Sequence, residues 1–312
     1  MKKISIVIPV YNSEPIIFEL NRQITDALAN IDYELILIND QSTDGSWKKI
    51  DQLARQHPNI IGINLRKNYG QDNAIMAGLN FASGNYLVIM DDDLQHSPED
   101  IIRLYNKCRE GYDICYANFL KKKQAFWKNS GSWLNGKTAE ILLNKPKEIY
   151  LSPFQIIHRD IIEQVIKYQG PYPYIQGLLL DLTNNVTQIN VEHHKRYEGK
   201  SNFNLIRSSK IFFKLVTSFS VIPLRIATIM GFVTSSIGFI LVPFYLFSHF
   251  FGSRVVEGWT TIVLLQLIIG GLILLSLGVI GEYIGRMYLN LNHKPQYNIK
   301  KVVNYHQSRD TN

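Results

Sequence analysis

Charge is missing from two long stretches of the C-terminal third. Ile226 to Phe251 and Gly258 to Gly281 contain no Lys, Arg, Asp or Glu. Each exceeds the roughly 20 residues that cross a bilayer as a helix, and Pro243 in the first is tolerated as a kink. Cysteine is scarce as well. Cys108 and Cys115 are the only two in 312 residues, which excludes a disulfide framework and suits ordinary thiols in a reducing compartment. There is no internal repeat and no low-complexity segment. The first apolar run, Ile4 to Val10, is too short for a signal sequence and reads as a strand.

What charge there is divides unevenly. From Lys195 onward there are 13 Lys and Arg against 4 Asp and Glu, whereas the first 194 residues hold 20 against 22. A near-neutral front and a basic, apolar back point to a soluble domain attached to an anionic membrane surface, and the apolar runs favour membrane lipid over nucleic acid as partner. Lys210, Lys214 and Arg225 precede the two runs, and Arg286, Lys294, Lys300 and Lys301 follow them. The positive-inside rule then places both ends in the cytoplasm and makes the runs a hairpin. Between Phe203 and Val221, Arg207, Lys210, Lys214 and Ser218 share one helical face on an otherwise apolar segment, as in a helix lying among lipid headgroups. Gln124 to Leu143 mixes tryptophan with lysine at helical spacing, which fits a membrane interface and equally a helix packed on a sheet.

The front of the chain alternates strands and helices. Strands are expected at 4–10, 34–38, 60–65, 86–90, 113–116, 152–157 and 186–192. Helices are expected at 14–30, after the turn at 41–46, from a start at 68–71 to about 82, at 98–110 and at 159–168. That alternation predicts an α/β fold with a parallel, doubly wound sheet. The fourth strand, Tyr86 to Met90, is apolar throughout and ends in Asp91, Asp92 and Asp93. Ser97 and Pro98 look like the N-cap and first turn of the next helix. Ligands bind at the carboxyl ends of such strands. In extended backbone Asp91 and Asp93 would point the same way, and a pair of hard oxygen donors suits Mg2+ or Mn2+ shared with substrate phosphates.

Several motifs now combine. Pro9-Val10-Tyr11-Asn12, the turn Asn39-Asp40 to Gly45, Asn68-Tyr69-Gly70-Gln71 and Asp91-Asp92-Asp93-Leu94-Gln95 resemble the inverting nucleotide-sugar transferases of glycosyltransferase family 2. Gly281-Glu282-Tyr283-Ile284-Gly285-Arg286 and the two apolar runs narrow the resemblance to polyprenyl-phosphate glycosyltransferases. It extends to about residue 300.

The resemblance implies a glycosyltransferase A-type Rossmann-like domain over 1–202, an interfacial amphipathic helix over 203–224, and a transmembrane hairpin with a cytoplasmic tail over 225–312. It implies residence in the bacterial inner membrane with the catalytic domain cytoplasmic. The substrates would be a nucleotide diphosphate sugar and a polyprenyl (undecaprenyl) phosphate, and relatives of this kind can assemble into tetramers. By position in the motifs, Pro9, Tyr11, Glu14 and Asp40 would hold the nucleotide. Asp91 and Asp93 would bind the metal on the diphosphate, with Asp93 essential for transfer. Asp92 takes the variable middle place of the acidic motif, and Gln71 and Gln95 would line the pocket. Asp44 fits either a ligand contact or plain turn chemistry.

Arg196-Tyr197-Glu198-Gly199-Lys200-Ser201-Asn202-Phe203 resembles the family's phosphate-closing loop. A guanidinium there suits bidentate phosphate contact, with Lys200 and Ser201 beside it. Where relatives carry Lys this chain has Asn202, so either Lys200 supplies that charge or one contact is absent. Relatives also carry an acidic residue before a Phe-Arg pair, whereas this chain reads Leu151-Ser152-Pro153-Phe154-Gln155, which leaves no general base to assign there. A phosphate acceptor, already anionic near neutral pH, needs none, unlike a sugar hydroxyl. Two rival readings are transfer to a glycan hydroxyl and a non-catalytic membrane scaffold. The Gln-x-x-Arg-Trp motif and extra spans of processive synthases are missing, and the intact aspartates count against a scaffold.

Overall fold

The computed structural model describes residues 4–119, 146, 149–192, 224–234, 236–237, 240, 258–292 and 295–305. The chain divides into two units, Met1–Asn202 with His293–Asn312, and Phe203–Asn292. The boundary at 202/203 coincides with the start of the apolar C-terminal part, but the final twenty residues belong with the first unit.

That first unit is built on one eight-stranded sheet of order β7-β5-β6-β4-β1-β2-β3-β8. Its strands are β1 (Ile4–Val10), β2 (Tyr33–Asn39), β3 (Ile60–Leu65), β4 (Tyr86–Ile89), β5 (Ile114–Phe119), β6 (Gln155–His158), β7 (Val186–Val191) and β8 (Ile299–Val303). β4, β1, β2 and β3 form a parallel block. The wholly parallel sheet expected from the alternation is not what forms. β6 runs antiparallel to β4 and β5, and β8 runs antiparallel to β3. An apolar run carries no information about strand direction. The reversal of β6 matters, because it brings Phe154 and Gln155 beside the carboxyl end of β4.

Both faces of the central strands are covered, so they read as unbroken apolar runs rather than alternating ones. Successive residues still point to opposite faces. Ile4, Ile6, Ile8 and Val10 join one core with Leu35 and Leu37, while Val7, Ile36 and Ile38 join the other. The first core is closed by α1 (Ile17–Ala27), α2 (Ser46–Gln56) and α4 (Asp100–Cys108). Each shows one apolar stripe, for example Ile101, Leu104 and Cys108 of α4, all buried. Such a side chain contributes about 1.5–3 kcal/mol when fully buried. The second core is closed by α3 (Gln71–Leu79), α5 (Arg159–Val165) and α6 (Ile175–Leu182).

α3 sits unusually close to the sheet. A Cβ on Gly78 would lie 2.5 Å from Val7 Cγ1 and 2.6 Å from Ile38 Cδ1. Its start is fixed by Gly70, whose φ of +88° is open to glycine and strained for other residues.

Helix ends are tighter than the sequence pattern implies. Ser97 is not an N-cap. α4 begins at Asp100, and Ser97–Glu99 form turns in which the Ser97 and Pro98 carbonyls accept from Asp100 and Ile101. α6 and β8 are additions to the expected set of elements.

In the second unit, α7 (Leu224–Thr234) and α8 (Trp259–Leu291) are helical. Among the described residues one stretch is long and apolar enough to cross a membrane, Ile268–Leu289 of α8, with mean hydropathy 1.9. Its apolar side chains are uncovered, Leu274 being 71% and Met287 61% exposed. The expected helices over 124–143 and 203–221 and the connection between the two apolar runs lie outside the described residues.

Candidate active site

Four loops meet at the carboxyl ends of β1, β2, β3 and β4. Their polar residues bond mainly to one another. In the β1–α1 loop the Asn12 amide donates to Ser42 Oγ at 3.0 Å, and the Ser13 amide donates to Ser46 Oγ at 3.0 Å. In return, Thr43 donates through its amide to Asn12 Oδ1 at 2.8 Å. Glu14 accepts the Gly45 amide on Oε2 at 2.8 Å. Asp44 accepts the Glu14 amide on Oδ2 and both the amide and hydroxyl of Ser46 on Oδ1. Burial alone would raise the Asp44 carboxyl. The Ser46 hydroxyl and the Glu14 and Ser46 amides outweigh it and leave the group below its ordinary range. Asp44 thus serves the start of α2, the turn-chemistry alternative.

Asp40 directly follows β2 and is buried. Oδ1 accepts the Tyr69 amide at 2.7 Å and Oδ2 accepts the Gly70 amide at 2.8 Å. Burial pushes its carboxyl above the ordinary range in spite of these two bonds. Beside it Gln41 Oε1 accepts the Asn68 amide at 2.9 Å. The motif Asn68-Tyr69-Gly70-Gln71 is therefore hung from the end of β2, and Gln71 is left at the first position of α3. Its Nε2 donates to Asp91 Oδ1 at 2.8 Å.

The three aspartates do not continue the strand. β4 ends at Ile89, and the chain bends through 92–94 with Leu94 in the left-handed region at φ +58°. For a residue with a Cβ that conformation costs about 1–2 kcal/mol. Asp91 and Asp93 have different hydrogen-bond partners. Asp91 receives Gln71, and Asp93 Oδ1 receives the Gln95 amide at 3.2 Å. Asp92 turns inward, where Oδ2 accepts the Ser13 hydroxyl at 2.5 Å and the Tyr11 amide at 3.4 Å. Burial pushes its carboxyl up to about 6, with the charge of Asp93 adding to the shift. Asn12, Gln41 and Leu94, three of the four described non-glycine residues with positive φ, lie in these loops. Such conformations persist where surroundings over-determine them.

The structure thus brings together Tyr11, Glu14, Asp40, Gln71, Asp91, Asp92, Asp93 and Gln95. Tyr11 is 51% exposed and presents an open ring. Pro9 is buried within β1, opposite Ile38 in register, and supports the loop from below. Arg196, Lys200 and Ser201 lie outside the described residues. Two residues escaped the sequence reading. Ser13 bridges to Asp92, and its only signal is a hydroxyl in a turn beside a motif. His96 is buried against the acidic turn, and nothing in its spacing sets it apart from other loop histidines.

Among the described residues no three His, Cys, Asp or Glu side chains form a self-sufficient metal cage. A hard cation shared with a diphosphate needs only one or two carboxylates, the phosphates completing its shell. The donor set of Asp91 and Asp93 fits that arrangement.

Fold and site define an α/β protein with an acidic cluster of loops at the carboxyl ends of its parallel strands. Residues 5–166, half of the chain, match the family described as Glycosyl transferase family 2, and the chain belongs to that family; it is a glycosyltransferase. It is 30% identical to the Bacillus subtilis protein named uncharacterized glycosyltransferase YkcC, over 98% of this chain and 95% of that one. It is 32% identical to undecaprenyl-phosphate 4-deoxy-4-formamido-L-arabinose transferase of Yersinia enterocolitica, over 99% and 96%. Among solved structures, glucosyl-3-phosphoglycerate synthase of Mycobacterium tuberculosis, crystallised with Mn2+, uridine-diphosphate and phosphoglyceric acid, superposes with a TM-score of 0.52. Identity there is 17%, over 69% of this chain and 76% of the other, a likeness of fold.

Proposed function

We propose that the protein transfers a sugar from a nucleotide diphosphate sugar to the phosphate of undecaprenol or a similar polyprenol, at the cytoplasmic face of a bacterial inner membrane. The observation that carries this reading is similarity over the whole length, apolar C-terminal part included, to transferases named for undecaprenyl phosphate. The family match alone stops at residue 166 and would fit any acceptor. The uncovered apolar surface of α8 supports a membrane setting, since a core helix of a soluble protein would be covered. The domain over 1–202 carries the chemistry, 203–224 lies at the interface, and the two apolar runs form a hairpin.

The chemistry is a single displacement at the anomeric carbon with inversion. Tyr11 stacks on the base. Asp40 and Glu14 shape the nucleotide pocket chiefly through the backbone they hold. Asp91 and Asp93 hold Mg2+ or Mn2+. A cation held by these carboxylates would supply positive charge to offset the nucleotide diphosphate as it leaves. Gln71 keeps Asp91 in place, and Gln95 does so for Asp93 through its amide. Arg196, Lys200 and Ser201 contact the acceptor phosphate, and Arg196 orients it for attack. The acceptor oxygen is already anionic, so the lack of a carboxylate at 151–155 does not stop the reaction.

A cation-dependence test checks the metal-bound reading. In detergent, with undecaprenyl phosphate and a panel of UDP-, GDP- and dTDP-sugars, transfer should stop on adding EDTA and return with excess Mg2+ or Mn2+. Full turnover in EDTA would remove Asp91 and Asp93 from their proposed role.

A further inference from the structure

We infer that His96 is a positioning residue of the transferase site, fixing the backbone of the acidic turn through Asp91 and bolting that turn to β5 and to the start of β6. The inference rests on the reading of Asp91 and Asp93 just given. His96 is buried, 5% exposed. Its ring lies between two phenylalanines. The Phe154 ring is 4.9 Å away at an interplanar angle of 9°, and the Phe119 ring is 5.4 Å away at 16°. Nδ1 accepts the Asp91 amide at 3.4 Å, so the neutral ring carries its proton on Nε2.

The placement explains why a histidine is useful there. β4 has ended at Ile89, so Asp91 has left the ladder and its amide needs another acceptor. The turn also contains Leu94 at positive φ, a conformation that does not hold itself. Phe119 closes β5 and Phe154 precedes β6. A flat ring between them has its in-plane nitrogen fixed in direction, and that nitrogen faces the first carboxylate residue. Phenylalanine could fill the slot but offers no acceptor. Asparagine could offer an acceptor near the Nδ1 position but would not fill the slot.

That contrast gives the test, on the full-length protein in detergent. His96→Phe and His96→Asn are compared with wild type by residue-resolved hydrogen exchange without metal, and by electron paramagnetic resonance of Mn2+ titrated in the presence of UDP. Loss of one neutral hydrogen bond corresponds to about fivefold faster exchange. The Asp91 amide should exchange about that much faster in His96→Phe and near the wild-type rate in His96→Asn. Mn2+ binding with UDP should weaken severalfold in His96→Phe and recover partly in His96→Asn. Equal exchange at Asp91 in wild type and His96→Phe overturns the inference, as does His96→Asn behaving like His96→Phe. Absence of Mn2+ binding by wild type would instead fault the reading of the aspartates, while the exchange comparison still decides the role of His96. If His96→Phe does not fold, His96→Gln, which fills part of the slot and moves its acceptor outward, replaces it and should show the same fast exchange.

Discussion

Asp40→Asn separates a loop-holding role from a ligand-binding one. The carboxylate accepts two backbone amides, Tyr69 at 2.7 Å and Gly70 at 2.8 Å, one on each oxygen. Asparagine is nearly isosteric but has one acceptor oxygen. Its amide nitrogen must face a second N–H donor. One hydrogen bond to a charged group is lost, about 1.5–3 kcal/mol. Removing a charge whose burial is unfavourable returns part of that. A net cost of about 2 kcal/mol is expected, which corresponds to roughly thirtyfold in an equilibrium constant. The assay is hydrogen exchange at Tyr69 and Gly70 in the full-length protein, where local opening reports local stability. Exchange there should rise about thirtyfold, and nucleotide affinity should fall because Gln71 and its contact with Asp91 move with the loop. Wild-type exchange at both amides together with lost nucleotide binding would refute the reasoning, and would make Asp40 a direct ligand of the nucleotide.

Further perturbations test other parts of the site and fold. The Asp92 carboxyl is pushed up to about 6 in the folded protein, against about 3.9 for an unperturbed aspartate. The folded state therefore binds more protons between these values. Its contribution to stability is fully present below about pH 4 and lost as pH rises through about 6. Without metal, Asp92→Asn should remove that loss, so the gap in thermal midpoint between pH 4.5 and pH 7.5 narrows; an unchanged gap contradicts the assignment. Gly78→Ala places a methyl group against Val7 and Ile38 and should cost about 1–3 kcal/mol by overpacking, read as a lowered thermal midpoint. Ending the chain after Asn298 removes β8 and the bond from Lys301 Nζ to Asp51 at 2.6 Å. It exposes the β3 edge, and light scattering should report association.

The sequence made β1 to β4, their helices and the acidic turn legible because buried parallel strands are uninterrupted apolar runs and turns need particular residues. Partnering was less legible. β8 reads Ile299-Lys300-Lys301-Val302-Val303, and its lysines look like cytoplasmic flanking charge. On a sheet edge lysines are also expected, since they discourage further pairing, and Lys301 reaches Asp51 over 250 residues of separation. α6 starts among Pro171, Pro173 and three tyrosines with no side-chain cap, so no start signal marks it. Glu14 and Asp40 stand out in their motifs as carboxylates, but nothing there marks them as acceptors of backbone amides from other loops. His96 acts through Phe119 and Phe154, which are 23 and 58 positions away and meet it only once β6 reverses beside β4.

The most direct test of the proposed function is the chemical identity of the product. Purified protein in detergent is given undecaprenyl phosphate, Mg2+ or Mn2+ and the nucleotide-sugar panel, beside Asp93→Asn, and the lipid is analysed by mass spectrometry. Wild type should yield a sugar joined to the lipid phosphate, and a folded Asp93→Asn should yield none. Consumption of donor only when a glycan hydroxyl is supplied, or normal turnover by Asp93→Asn, would contradict the proposed function.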